Sequence, residues 1–312
     1  MTALLQSYLF AWLFFLSIAL GCFALLAIHG LTGGRWGEAI RAPLLAAIGA
    51  IPVLAILFLP VAIGVNLLFH WSIHPVYFSV PFFMLRALIY FACWVVLSIV
   101  TVRRRSVPYP GAMLVLYVVT VTFASWDWMM SLEPKWWSTM YAMDILASQS
   151  VAALAAIILF VTYLRIARDV WPDLGNLLLA ALMFWAYLEF SQFLIIWSGN
   201  GKQEIAWYLS RTQTSWRWIA LLLVVFAFFG PLLALLFRSA KRSASVLATI
   251  AGVTLFTQLL KLFWTIAPAF RPRGFLIGWF DIPALLVLGA VLFFTTKGTK
   301  GTKTSFSSSS LW

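Results

Sequence analysis

Residues 4–28 read LLQSYLFAWLFFLSIALGCFALLAI. The stretch contains no charged side chain, and its polar and apolar residues do not alternate. A helix of ~20 such residues spans the ~30 Å hydrocarbon core of a bilayer. Comparable runs recur at 43–69, 80–102, 111–128, 140–166, 175–197, 216–238, 246–264 and 280–296. The composition agrees: 63% of residues are hydrophobic and 10% are charged, against ~25% charged in a soluble domain. Too little polar surface exists to cover a soluble globule. Continuous apolar runs predict helices rather than a transmembrane barrel, whose strands alternate. The expectation is an all-α, polytopic membrane protein of about nine transmembrane helices. Residues 1–296 form one transmembrane domain, and 297–312, rich in Lys, Gly, Thr and Ser, form a disordered cytoplasmic tail. The first run has no basic segment before it, which reads as a retained span rather than a signal peptide.

The net charge of +12 does not point to nucleic acid, because the basic residues sit in short loops between spans, where the lipid membrane and topology selection account for them. The odd-numbered loops and the tail hold Arg35, Arg41, Arg103, Arg104, Arg105, Arg165, Arg168, Arg238, Lys241, Arg242, Lys297, Lys300 and Lys303. The even loops hold Lys135, Lys202, Arg211, Arg217, Arg271 and Arg273. The richer side faces the cytoplasm. The N-terminus is therefore expected outside and the C-terminus inside. Cys22 and Cys93 lie in separate apolar runs and read as small core residues, not as a disulfide or metal site.

Tryptophan is also uneven. Trp71, Trp126, Trp128, Trp136, Trp137, Trp197, Trp207, Trp216, Trp218, Trp264 and Trp279 fall near the outer ends. They form either an interfacial belt or, because tryptophan is enriched in interface cores, part of a docking surface.

Charges inside spans are costly and usually face a bundle interior. Arg86 lies ~8 Å into its helix and Glu189 ~12 Å into its own. Asp127 closes the fourth span, Asp144 opens the fifth, and Lys261 lies near the end of the eighth. All fall in the outer half, with Asn66, His70 and His74 on the same side. Tyr141, Asp144 and Ser148 share a helical face, as do Glu189 with Gln192, Gln258 with Lys261, and Arg86 with Tyr90. One reading is a site handling protons or a quinone. The other is a set of interhelical ion pairs holding the bundle together. Glu189, the deepest, leads the first reading. Lys261 ranks last, because lysine near a helix end can snorkel to the headgroups. His29, His70 and His74 supply no intramembrane pair for a haem, and the chain has no cysteine cluster, phosphate loop or nucleophile elbow. No cofactor is expected on this chain itself.

The run Asp127-Trp128-Met129-Met130-Ser131-Leu132-Glu133-Pro134-Lys135-Trp136-Trp137-Ser138-Thr139 resembles the Asp-Trp-x-Met-Ser-Leu-Asp-Pro-x-Trp-x-Ser-Thr stretch of the smaller NrfD-like membrane subunit of alternative complex III, a bacterial quinol:cytochrome c oxidoreductase. Phe82-Phe83-Met84-Leu85-Arg86 with Tyr90-Phe91, and Phe190-Ser191-Gln192-Phe193-Leu194 ahead of Trp197, are similar to two of that family's helices. Glu133-Pro134-Lys135 departs from the family's Asp-Pro-His, and Gly199-Asn200-Gly201-Lys202 lacks its Leu-Pro-Glu. The resemblance implies two four-helix bundles with flanking helices, of which one is expected here. It also implies a larger NrfD-like membrane subunit, an iron–sulfur subunit and c-type cytochrome subunits as partners, whose haem c and iron–sulfur clusters carry the electrons. Quinone or quinol is the small-molecule ligand it implies. Asp127, Asp144, Glu189 and Arg86 are the residues it marks as proton-route candidates. A secondary transporter and a purely structural membrane anchor are the alternatives. Pro52 and Pro60 could break the second span, although the sequence shows no matching break in the second half.

Overall fold

The computed structural model describes residues 1–71 and 74–298, with side chains through Leu292. The chain is all-α and polytopic. Among the described residues, eight helices are long and apolar enough to cross a membrane, and a ninth is apolar over Asp281–Leu292. In chain order they are α1 (Thr2–Thr32), α2 (Arg41–Ile63), α3 (Val80–Arg104), α4 (Pro110–Trp128), α5 (Tyr141–Tyr163) and α6 (Trp171–Gly199). There follow an amphipathic helix α7 (Lys202–Thr212), then α8 (Trp216–Leu236), α9 (Ala244–Phe270) and α10 (Asp281–Gly298). Each of the nine apolar runs became a helix. α7 is an addition to these runs, lying in the loop expected at 198–215. Lys297 and Gly298 complete α10, and the rest of the expected tail, 299–312, lies outside the described residues.

The helices pack as two rings of four. α1, α2, α3 and α4 close one bundle, and α5, α6, α8 and α9 close the other. The two meet where α1 packs along α5 and α9, and α10 flanks α1. At this seam α1 and α5 approach so closely that a Cβ on Gly21 would overlap the carbonyl of Gln149. Successive crossings alternate in direction. The start of α1, the ends of α4, α6 and α9, and the starts of α3, α5, α8 and α10 therefore share one end of the molecule, called here the upper end.

Helix limits follow local chemistry. Pro81, Pro110 and Pro172 sit in the first turns of α3, α4 and α6, where no N–H is needed. Arg105 and Asn200 end α3 and α6 in the left-handed region, with φ of 55° and 48°. Inside an apolar bundle every broken backbone hydrogen bond needs another partner. α2 is interrupted at Gly49–Ala50 and at Leu57–Phe58, beside Pro52 and Pro60. Its freed carbonyls are met by side chains: Ser98 Oγ donates to Ile48 O at 2.7 Å, Trp12 Nε1 to Leu54 O at 2.9 Å, and Tyr8 OH to Leu57 O at 2.6 Å. The second half carries its own irregularity, which the sequence reading did not foresee. In α8, Leu223–Phe229 is π-helical just before Pro231, so the wider turn falls ahead of the residue that cannot donate.

Candidate functional site

Two clusters of ionisable side chains are buried within the spans near the upper end, one in each bundle. In the first, Arg86 on α3 meets Asp127 at the end of α4. Nε donates to Oδ2 at 2.7 Å and Nη2 to Oδ1 at 3.0 Å, a two-pronged pairing that fixes both partners. Nη1 donates to Tyr77 O at 2.7 Å, and Tyr90 OH donates to Asp127 Oδ2 at 2.8 Å. The guanidinium also lies 3.9 Å from the Tyr77 ring centre and 4.6 Å from that of Phe82. Tyr77 belongs to the loop before α3. Burial, and after it the charge of Asp127, push its phenol up to about 12. Trp128 turns into a packed aromatic group with Trp12, Phe58, Phe91 and Trp94. This cluster is balanced, one cation to one anion, and lidded by aromatic rings.

The second cluster joins three helices. The Lys261 ammonium on α9 ion-pairs with Asp144 on α5 and, at 2.5 Å, with Glu189 Oε1 on α6. Trp185 Nε1, one turn below Glu189, donates to Asp144 Oδ1 at 3.0 Å. Lys261 and Asp144 are buried, whereas the Glu189 side chain keeps 24% of its surface exposed. Gln192, on the same face as Glu189, donates from Nε2 to Tyr208 OH at 3.2 Å and accepts from Ser138 Oγ at 3.0 Å. Burial, then the nearby Glu189 charge, push the Tyr208 phenol up. Tyr141 is buried with its ring edge-on to Trp136, 5.7 Å between centres. Two carboxylates here face one ammonium, so the cluster is unbalanced by one negative charge when all three groups are ionised.

Several expectations change. The in-span charges do not form one network. Among the described residues, no hydrogen bond or ion pair links the Arg86–Asp127 cluster to the Lys261 cluster. Lys261, ranked last as a snorkelling lysine, is buried because two carboxylates on neighbouring helices hold it. His70 is exposed and joins neither cluster, as are Asn66 and His74. The tryptophan set divides: Trp128, Trp136, Trp207, Trp216 and Trp264 are buried in the core, Trp71 and Trp126 are half-buried, and Trp137, Trp197, Trp218 and Trp279 are exposed.

Arg211 was counted as a loop charge, yet it is fully buried at 0% exposure. Pro268 inside α9 cannot donate to the Trp264 carbonyl, and Arg211 supplies the missing donor. Its Nε reaches Trp264 O at 3.4 Å and its Nη2 reaches Thr265 O at 3.0 Å. Nη2 also pairs with Glu133 at 2.6 Å, and the guanidinium stacks 3.6 Å over Trp207. Burial lowers the basicity of Arg211, and Glu133 works against that. The clue was Trp207, Tyr208 and Arg211 recurring on one face of a short helix. Similarly, Arg271, read as a loop charge, grips Asp281 at 2.7 and 2.9 Å, and Ser7 Oγ donates to the same carboxylate at 2.5 Å. That tie fastens α10 to α1.

Beside Lys261 lies a small, partly open cavity in which a water's centre has about 20 Å³ of room. Pockets for ring-sized ligands run to ~300 Å³ or more. This cavity is the size of a water rather than of a ring-sized ligand. The fold and its two buried clusters define a multi-pass helical membrane protein. Compared with known proteins, the chain matches no protein-family model and no curated protein.

Proposed function

We propose that this chain is a cofactor-free membrane subunit of a respiratory quinol-oxidising oxidoreductase, and that its second bundle takes up and releases a proton at Glu189–Lys261–Asp144. The observation that carries the proton reading is the unmatched carboxylate. Two acids on one buried ammonium leave a negative charge that a proton can neutralise, and partly exposed Glu189 gives that proton an entrance. The assignment to a respiratory complex rests on the Asp127–Thr139 resemblance, supported by the paired four-helix architecture. The partners are then a larger NrfD-like membrane subunit, an iron–sulfur subunit and c-type cytochromes, with the electrons carried by the partners' haem c and clusters. The basic end faces the cytoplasm of a bacterium and the upper end faces outward across the plasma membrane, with the N-terminus outside.

Affinity purification of the chain from native membranes tests the assignment. It should bring down haem c and iron–sulfur subunits in fixed ratio, and a redox-free isolate would overturn it. Glu189→Gln and Asp144→Asn test the proton reading. Each should slow quinol turnover or proton release in a complex that still assembles, and unchanged rates in both would sink the relay. A periplasmic-active reporter fused at Met1 tests the orientation.

The breaks in α2 and the π-helical segment of α8 favour a second reading, a secondary transporter, since unwound backbone near the midplane is where such proteins bind substrate. Uptake by proteoliposomes holding this chain alone would select it.

A further inference from the structure

The cavity beside Lys261 lies on the seam where α1 packs against α5 and α9. Polar side chains from all three helices line it: Ser17 from α1, Ser148 and Gln149 from α5, and Gln258 and Lys261 from α9. Gln258 is 4% exposed. Its Oε1 accepts from Ser148 Oγ at 2.9 Å, but its Nε2 is buried without a protein partner. An amide donor left unpaired in an apolar bundle costs about 1–3 kcal/mol, so such groups are normally met by protein or by ordered water. The room available, about 20 Å³, exceeds the ~10–15 Å³ that one water's centre needs, and two to four polar partners hold such a water. The site offers that number.

We infer that the seam holds one internal water molecule, bound by Gln258 Nε2 and shared with Ser17, Ser148 and Lys261. Its consequence is connectivity. Gln149, on the same cavity, accepts from Tyr117 OH of α4 at 2.8 Å. Through Lys261 the water extends the Glu189–Lys261–Asp144 cluster of the second bundle to Ser17 on α1 of the first, across the seam where α1 packs against α5 and α9. Without it, among the described residues, no side-chain hydrogen bond links Lys261 to Ser17 or Gln258. This inference is independent of the respiratory reading and needs no partner subunit to be tested.

The test is a short pulse of X-ray-generated hydroxyl radicals on the purified protein in detergent, because a trapped water produces radicals beside the residues that enclose it. Phe14 lines the cavity, and Phe23, about two and a half turns further along the same helix, does not. Phe14 should be oxidised several-fold faster than Phe23. Gln258→Leu removes the donor, and Ser17→Val fills the space from the other wall. In each variant that keeps the wild-type near-ultraviolet tryptophan signal, the Phe14 rate should fall towards that of Phe23. Equal rates for Phe14 and Phe23 in the wild-type protein would overturn the inference, and so would a Phe14 rate unmoved in a folded variant.

Discussion

The two bundles bury their charges differently. In the first, Arg86 and Asp127 cancel each other, every donor of the guanidinium fork that faces inward has a partner, and aromatic rings close the top. In the second, one lysine is divided between two carboxylates from different helices, and one of those acids reaches the surface. A closed, neutral pair has no state to change and holds helices in register. An unbalanced triad has a second state within reach, differing by one proton. The contrast teaches that depth alone does not mark a working site. Charge stoichiometry and access do.

The largest effect should come from breaking the closed pair. Asp127→Ala leaves the Arg86 guanidinium buried beside nothing that can neutralise it, and the loss should be about 3–5 kcal/mol. Denaturation in detergent, followed by tryptophan fluorescence, reads it. Arg86→Met with Asp127→Leu removes both charges and should recover most of that loss. A double variant as unstable as the single one would mean that the pair does more than hold α3 to α4.

Next is Arg211→Lys. Lysine keeps the charge but lacks the planar fork that serves Glu133 and two α9 carbonyls at once. About 1–3 kcal/mol should be lost, with protease sensitivity rising in α7 and around Pro268. A smaller stability effect is expected from Glu189→Gln. The amide can still accept from Lys261, and the side chain is partly exposed, so the cost should be about 1 kcal/mol or less. That variant sharpens the comparison, because it should spare the fold while removing the only carboxylate of the triad that reaches the surface. A large loss of stability in Glu189→Gln would make the second cluster structural, like the first.

The fold was legible because span length and apolarity are local properties. All nine runs are helices, and they pack as two rings of four. The charges were legible only where they sat inside a run: Arg86, Asp127, Asp144, Glu189 and Lys261. Which of them meet was not, because Lys261 and Asp144 are 117 positions apart and Arg211 and Glu133 are 78 apart. Arg211 and Arg271 looked like loop charges because their burial depends on a proline-freed carbonyl in one case and on the first acid of α10 in the other. His70 lies near a span end, yet it is exposed and, among the described residues, joins neither cluster.

The smallest effect belongs to Tyr77, and it tests the closed character of the first cluster from its rim. Burial is the larger reason that its phenol is pushed up to about 12, and the negative charge of Asp127 is the next. The sign follows from linkage. A phenol whose folded value is raised above its unfolded value of ~10 contributes stability that is fully present below pH ~10. That contribution is lost as the pH rises through 12. Subtracting the ultraviolet phenolate titration of Tyr77→Phe from that of the wild-type protein isolates this one group. In an Asp127→Asn background the same difference step should move to lower pH while staying above ~10, because burial persists when the charge is gone. A step that does not move on Asp127→Asn would mean that the carboxylate is already neutral beside Arg86. The first cluster would then hold an unmatched charge of its own, and the contrast between the bundles would collapse.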